Sequence, residues 1–160
     1  WGDMYEEMNK AGLPLYALES GDSLDQFDAL AFSVGYEMAY TTVLDMLHMA
    51  GLHLRSKDRP NLLPLVFAGG SAAVNAEPVA DFMDLFVIGE GEEMNNELLT
   101  LLHQAKQTGW SKQEFLIQAA QIPGGCRFHP RCPRCTQQCT GCAPSMQEIQ
   151  PNHFVACWNT

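Results

Sequence analysis

Several common features are missing from this chain of 160 residues. No segment approaches the roughly 18 consecutive apolar residues of a membrane helix, so we expect no membrane insertion. The N-terminus carries no charged-then-apolar secretion signal. The first 125 residues contain no cysteine. Together these absences disfavour a disulfide-stabilised secreted domain, and we expect a cytoplasmic protein.

Basic residues are scarce. The chain has 9 Lys and Arg against 19 Asp and Glu, a net charge of −10. Residues 1–125 hold 6 basic and 18 acidic residues (−12), whereas residues 126–160 hold 3 basic and 1 acidic (+2). Because nucleic-acid binding depends on Lys and Arg contacts to phosphate, we expect no nucleic-acid partner. The Walker phosphate loop and the dinucleotide fingerprint are absent too, so ATP hydrolysis is not expected.

Alternating strand and helix patterns predict the fold of residues 1–124. Continuous apolar runs predict buried parallel strands at residues 29–34, 63–68 and 85–88, and a short edge strand is predicted at 15–18. Helices are predicted at residues 3–10, over about 14 residues ending near Gly51, at 92–107 and from Ser111, where Glu114 completes a capping box. This order predicts an α/β fold with a doubly wound, mainly parallel, Rossmann-like sheet.

Three glycine-bearing loops follow the predicted strands, at the edge where doubly wound sheets bind ligands. They read SVGYE from residue 33, AGGSA from residue 68 and IGEGEE from residue 88. Glycine lets the backbone approach a ligand closely and exposes N–H groups to it. Each loop taken alone also fits an ordinary turn between a strand and a helix.

The segment that holds two of these loops resembles a known family. Residues 65–93 read LVFAGGSAAVNAEPVADFMDLFVIGEGEE. This succession resembles the cobalamin-binding domains of radical S-adenosylmethionine (radical SAM) proteins. The segments FDALAFSVGYEMAYTTVLDMLHMAGLHLRS and SKQEFLIQAAQIPG fit one subgroup of them. The resemblance covers about residues 1–124.

The resemblance implies a cofactor site at the strand ends. A corrin ring would lie across them, lined by Ser33, Gly69, Gly70, Ser71, Gly89, Glu90, Gly91 and Glu92. The Asp-x-His-x-x-Gly segment that supplies a cobalt-ligating His is absent, so no protein imidazole is expected there. The chain begins past the first strand of such domains, and we expect the sheet to lack it.

The resemblance also implies a partner, the radical SAM catalytic domain of a parent protein. We expect this chain to lack both the Cys-x3-Cys-x2-Cys triad of that domain, which holds its cluster, and its barrel. This chain alone is therefore expected to perform no catalysis.

All 6 cysteines lie in the last 35 residues. One set of spacings is Cys126-x5-Cys132-x6-Cys139-x17-Cys157, and a tighter rival is Cys132-x2-Cys135-x3-Cys139-x2-Cys142. Four thiolates suit zinc or an iron–sulfur cluster, and disulfides or idle thiols remain the alternative.

A second resemblance selects the first set. Residues 125–158 contain Gly-Cys-Arg-Phe-His-Pro-Arg-Cys-Pro and, near their end, Pro-Asn-His-Phe-Val-Ala-Cys up to Cys157. They resemble the C-terminal extension of oligopeptide and dipeptide ABC-transporter ATPase subunits, where four cysteines can hold a 4Fe-4S cluster. This implies Cys126, Cys132, Cys139 and Cys157 as metal ligands, with Cys135 and Cys142 as extras.

The two resemblances meet at a Pro-Gly-Gly joint, which predicts an α/β domain at 1–124 and an irregular Cys-rich tail at 125–160. We favour an accessory, cobalamin-type cofactor-binding domain of a radical SAM protein with an iron–sulfur tail. The alternatives are a part of the peptide-import machinery that binds transporter subunits, and a zinc-binding interaction module.

Overall fold

The structure, a computed structural model, describes residues 2–89, 91–122, 132–141, 144–145, 147–150, 153–155 and 157–159. The body contains helices α1 (Gly2–Ala11), α2 (Tyr40–Met49), α3 (Gly91–Thr108) and α4 (Lys112–Ala119). Its strands are β1 (Ala29–Ser33), β2 (Leu65–Gly69) and β3 (Leu85–Phe86). No helix among the described residues is long and apolar enough to cross a bilayer.

The three strands of the described body form one parallel sheet in the order β1-β2-β3. Leu30, Val66 and Ala68 on one face pack against Val43 and Leu47 of α2. The other face carries Leu65, Phe67 and Val87 and packs against α3 and α4. Helices therefore cover both faces, and the predicted α/β, Rossmann-like fold with a parallel sheet is confirmed.

Helix α2 has 10 residues rather than about 14, and three strand predictions differ from the structure by two residues or more. Residues 15–18 form no strand; Tyr16 makes one isolated bridge to Ser23, because a tight turn follows at once and Gly21 N–H donates to Ala17 O (2.8 Å). The second strand begins at Leu65, two residues late, after a cis Leu63–Pro64 peptide. The third ends at Phe86, although Val87 N–H still donates to Ala68 O (2.8 Å).

The predicted capping box at Ser111 is confirmed. The Ser111 hydroxyl accepts the Glu114 N–H (3.2 Å), and the Ser111 N–H donates to Glu114 Oε2 (2.8 Å). Hydrogen bonds from the Ser111 backbone and hydroxyl lower the pKa of Glu114, outweighing a smaller effect of burial. A lowered carboxyl pKa stabilises the fold above the ordinary Glu value, and this contribution is lost as the pH falls through the lowered value.

A buried carboxylate closes the amino end of the sheet. Asp84 stands directly before β3, and its side chain is 0% exposed. Its Oδ1 accepts hydrogen bonds from Ser56 Oγ (2.6 Å), Arg59 Nη2 (3.0 Å) and Lys112 Nζ (2.5 Å). Its Oδ2 accepts the N–H of Val66 in β2 (2.8 Å). One side chain thus joins the loop before β2, the sheet and the first turn of α4.

Both cations around Asp84 also donate hydrogen bonds to backbone carbonyl oxygens. Arg59 donates to His53 O, Leu54 O and Phe82 O, each at 2.7 Å. Lys112 Nζ donates to Ser56 O (3.1 Å) and Arg59 O (2.9 Å). Arg59 Nε is buried without a hydrogen-bond partner. The arrangement fixes the course of residues 53–59 against the sheet.

At the opposite end, β1 and β2 are held together through Gly70. Its φ of +97° and ψ of −179° define a conformation that glycine alone adopts readily. A Cβ there would lie 2.6 Å from the carbonyl oxygen of Val34. The Val34 N–H donates to Gly69 O (2.8 Å) and the Ala72 N–H to Val34 O (3.0 Å). The close approach of these two chain segments therefore requires glycine.

The described tail contains a short helix, α5 (Gln137–Gly141), and two antiparallel strands, β4 (Gln147–Gln150) and β5 (His153–Val155). Before α5, the Cys135 N–H donates to Cys132 O (3.1 Å), which closes a turn. These segments carry the thiols described in the next subsection.

We expect Asp84→Ala to destabilise the domain strongly, by about 3–5 kcal/mol, because it leaves two cations buried without their counter-charge. Asp81→Ala is the matched control, since Asp81 pairs with Arg55 at 3.3 Å on the surface with 70% of its side chain exposed. That change should cost no more than about 1 kcal/mol. Urea unfolding followed by circular dichroism measures both, and equal costs would show that Asp84 is not a stabilising centre.

Gly70→Ala should destabilise the domain more than Gly51→Ala does. Gly51 also has a positive φ (+71°), but a Cβ there meets nothing within 4 Å. Gly51→Ala therefore measures backbone strain alone, about 1–2 kcal/mol. Gly70→Ala adds the collision with Val34, on the order of another 1–3 kcal/mol. Unfolding midpoints that coincide for the two variants would contradict this packing account.

Candidate functional site

The first two candidate loops meet at the carboxyl end of the sheet. Ser33 and Gly69 are paired across β1 and β2, and Ser71 Oγ donates to Gly35 O (2.8 Å). The single proton of the Tyr40 hydroxyl has two carbonyl oxygens within hydrogen-bond distance, Ala72 O (3.0 Å) and the closer Asn75 O (2.7 Å), so α2 is joined to the loop after β2. Burial and the nearby Glu37 carboxylate raise the pKa of Tyr40, which keeps the phenol in its donating form. The structure thus brings together Ser33, Gly69, Gly70 and Ser71.

The third loop follows the neighbouring strand. A Cβ on Gly69 would lie 3.2 Å from Val87 O, so β3 ends directly beside the second loop. Gly89 is exposed with a φ of +120°, and Gly91 begins α3. Glu90 and the side chain of Glu92 lie outside the described residues, and their predicted contribution stays a prediction.

The chain's own packing explains part of the glycine pattern. The space beside Gly70 is filled by the Val34 backbone, and the hydroxyl of Ser71 is already bonded to Gly35 O. Ser33 is exposed, and a Cβ on Gly35 would meet nothing within 4 Å. The open surface therefore lies at the end of β1 rather than at the Gly-Gly pair.

Sequence reasoning missed three exposed apolar side chains around these loops, which we call the strand-end patch: Tyr36, Met38 and Val74. Met38 is 83% exposed. Tyr36 and Met38 follow β1, and Val74 follows β2, on the two turns that Tyr40 joins. The sequence feature that could have predicted this patch is the presence of a tyrosine, a methionine and a valine in these short loops. The two turns that carry these side chains are joined by Tyr40, and a continuous exposed apolar patch is typical of a binding surface.

An apolar cavity of about 330 Å³ lies elsewhere, along the outer edge of β3. It is bordered by Phe86 and Val87 of the sheet end, by Met94 and Leu98 of α3, and by Leu116 of α4. A second hollow of about 360 Å³ adjoins α3 beside Leu101 and Ile122. Among the described residues that line either hollow, there is no predicted site residue.

In the tail, the described thiols are Cys132, Cys135, Cys139 and Cys157, and none of them is part of a disulfide. Cys139 is 3% exposed. Its sulfur lies 3.2 Å from Thr136 Oγ1 and accepts hydrogen bonds from the Thr136 N–H (3.5 Å) and Asn159 Nδ2 (3.6 Å). The Thr136 hydroxyl and backbone lower the pKa of Cys139, opposed by burial and assisted by hydrogen bonds from Asn159 and Cys135. Such donors favour the thiolate, the form that binds metals.

The predicted ligand set is only partly visible. Cys126 and Cys142 lie outside the described residues. Among the residues that are described, no three His, Cys, Asp or Glu side chains stand close enough together to hold a metal ion. The Asn159 N–H donates to Cys157 Sγ (3.3 Å), so Asn159 contacts both Cys139 and Cys157. The metal set of Cys126, Cys132, Cys139 and Cys157 stays a prediction.

One expectation from the sequence was wrong. The Cys-x3-Cys-x2-Cys spacing is present in the tail, as Cys135, Cys139 and Cys142. This triad lies within the tighter of the two four-thiol sets. A hydrogen bond from Cys135 is also one of the smaller causes that lower the pKa of Cys139.

Comparison with known proteins gives short matches. The uncharacterized protein MJ0966 of Methanocaldococcus jannaschii is 32% identical over 88 residues, 55% of this chain and 18% of its own length. The oligopeptide transport ATP-binding protein AppF of Bacillus subtilis is 33% identical over 66 residues, 38% of this chain and 20% of its own. The chain thus spans about a fifth of these relatives, and no solved structure matches it.

The family comparison covers far more of the chain. The family described as "Radical SAM proteins, N-terminal" matches residues 1–126, which include the whole described sheet with α1 to α4. The chain therefore belongs to the family of N-terminal domains of radical SAM proteins.

Proposed function

We propose that this accessory domain binds a cobalamin-type cofactor at the carboxyl end of its sheet and an iron–sulfur cluster on its tail. The observation that carries the first part is the position of the strand-end patch. Its three side chains lie exposed on the joined loops after β1 and β2, at the end of the sheet where doubly wound folds take ligands. The catalytic chemistry of the parent protein would come from its catalytic domain.

The residues at this end fit one side of a large, flat cofactor. The Ser33 hydroxyl is exposed, Gly35 leaves open space, and the apolar patch suits the face of a macrocycle. They do not fit an axial cobalt ligand, because the loops after β1 and β2 contain no histidine. His48 lies in the last turn of α2, which runs away from these loops. A corrin here would be held by contacts with the strand-end patch and the Ser33 hydroxyl rather than by a histidine of these loops.

The tail fits a cluster through its donor chemistry. A buried Cys139 surrounded by N–H and O–H donors is typical of a metal-binding thiolate, whose hydrogen bonds tune an iron–sulfur site. Three sets of cysteines are candidate ligands. The transporter set is Cys126, Cys132, Cys139 and Cys157, the tight four is Cys132, Cys135, Cys139 and Cys142, and the triad is Cys135, Cys139 and Cys142. All of them include Cys139.

A second candidate function is association with peptide-import machinery. It is favoured by the match to AppF, an oligopeptide transport ATP-binding protein. The chain has no Walker motif, so it would act there as a binding subunit rather than as an ATPase. Stable co-purification with transporter ATP-binding subunits would support this function over cofactor binding.

Hydroxocobalamin should stay with the wild-type chain through gel filtration, followed by corrin absorption. Met38→Asp should weaken this binding about tenfold or more, because a carboxylate would be desolvated beneath the macrocycle. Leu18→Asp is the matched control: Leu18 is 92% exposed and lies near the opposite end, where Leu15 bonds the last residue of α2. A wild-type protein that elutes free of corrin overturns the cobalamin proposal.

The ligand sets can be separated by single cysteine substitutions after anaerobic reconstitution with iron and sulfide. Cys139→Ser should abolish cluster uptake under every set. Cys157→Ser should abolish cluster uptake only if the transporter set holds the cluster. Cys135→Ser should abolish it only if the tight four or the triad holds the cluster. The measurement is iron and acid-labile sulfide per chain. Zinc uptake without iron or sulfide would instead indicate the interaction module.

A further inference from the structure

Asn159 contacts the sulfur atoms of Cys139 and Cys157, two members of the transporter set that lie far apart in the sequence of the tail. Its backbone N–H donates to Cys157 Sγ (3.3 Å), and its side-chain Nδ2 donates to Cys139 Sγ (3.6 Å). The same Nδ2 donates to Arg134 O (2.8 Å), so its two protons point to two different acceptors. One residue therefore fixes the segment at 157–159 against the segment at 134–139.

We infer that Asn159 is a positioning residue of the tail's metal site, which holds Cys139 and Cys157 side by side and donates a hydrogen bond to the bound Cys139 thiolate. This inference rests on the proposed metal-binding tail. Thiolate ligands in proteins are oriented and tuned by such outer hydrogen bonds, and loss of one typically weakens metal binding about 10–100-fold. A hydrogen bond to a cluster sulfur also stabilises the more negative, reduced state and raises the reduction potential.

The substitution Asn159→Ala removes only the side-chain donor, because the backbone N–H to Cys157 remains. Asn159→Asp keeps the shape but replaces the donor with a negative charge beside the sulfur. Thr140→Ala is the matched control, since Thr140 lies one residue from Cys139 but its hydroxyl donates to Gln137 O (2.8 Å). All variants are made in the full chain, and thermal melting of the α/β body checks that the fold is intact.

Two measurements test the inference. Anaerobic titration with Co²⁺ should show an affinity about 10-fold or more weaker for Asn159→Ala than for Thr140→Ala, with Asn159→Asp weaker still. In chains reconstituted with iron and sulfide, Asn159→Ala should shift the midpoint potential of the cluster downward. A purely structural asparagine would leave the potential of the loaded site unchanged.

The outcomes separate the two proposals. A wild-type chain that takes up neither Co²⁺ nor iron overturns the metal-binding tail, and the role of Asn159 with it. A wild-type chain that binds while Asn159→Ala behaves like Thr140→Ala, in affinity and in potential, overturns the role of Asn159 alone.

Discussion

The buried carboxylate of Asp84 is the constraint on which the body of this domain depends. A carboxylate that is buried away from water needs hydrogen-bond donors around it. Asp84 receives them from Ser56, Arg59, Lys112 and the Val66 N–H. These donors come from a loop, a strand and a helix that are distant in sequence. The amino end of the sheet therefore closes only when all three are in place.

The two ends of the sheet are built from different chemistry. The amino end is a closed network of charges and carbonyls around Asp84. The carboxyl end is a set of short turns, joined by Tyr40 and Gly70, that leaves Met38 and its apolar neighbours in solvent. The carboxyl end is therefore the end at which the strand-end patch is exposed and at which a cofactor is proposed to bind.

The tail differs from the body in that its proposed function depends on a few side chains rather than on a large hydrophobic core. Cys139 is its centre: it is buried, it receives hydrogen bonds from Thr136 and Asn159, and it is common to every candidate ligand set. A short segment of this kind can be ordered by a bound metal, since the binding free energy contributes to folding.

The sequence by itself determined the parallel α/β class, the capping box at Ser111 and the placement of the candidate loops after strands, because these follow from local apolar runs and local hydrogen bonds. The Cys-x3-Cys-x2-Cys spacing that begins at Cys135 is likewise a property of the sequence alone. Tertiary structure alone decided that Asp84 joins three segments, that Gly70 serves the packing of Val34, and that Asn159 meets Cys139. Each of these is a contact between residues far apart in the chain, and no local pattern specifies which distant group will fill a given space.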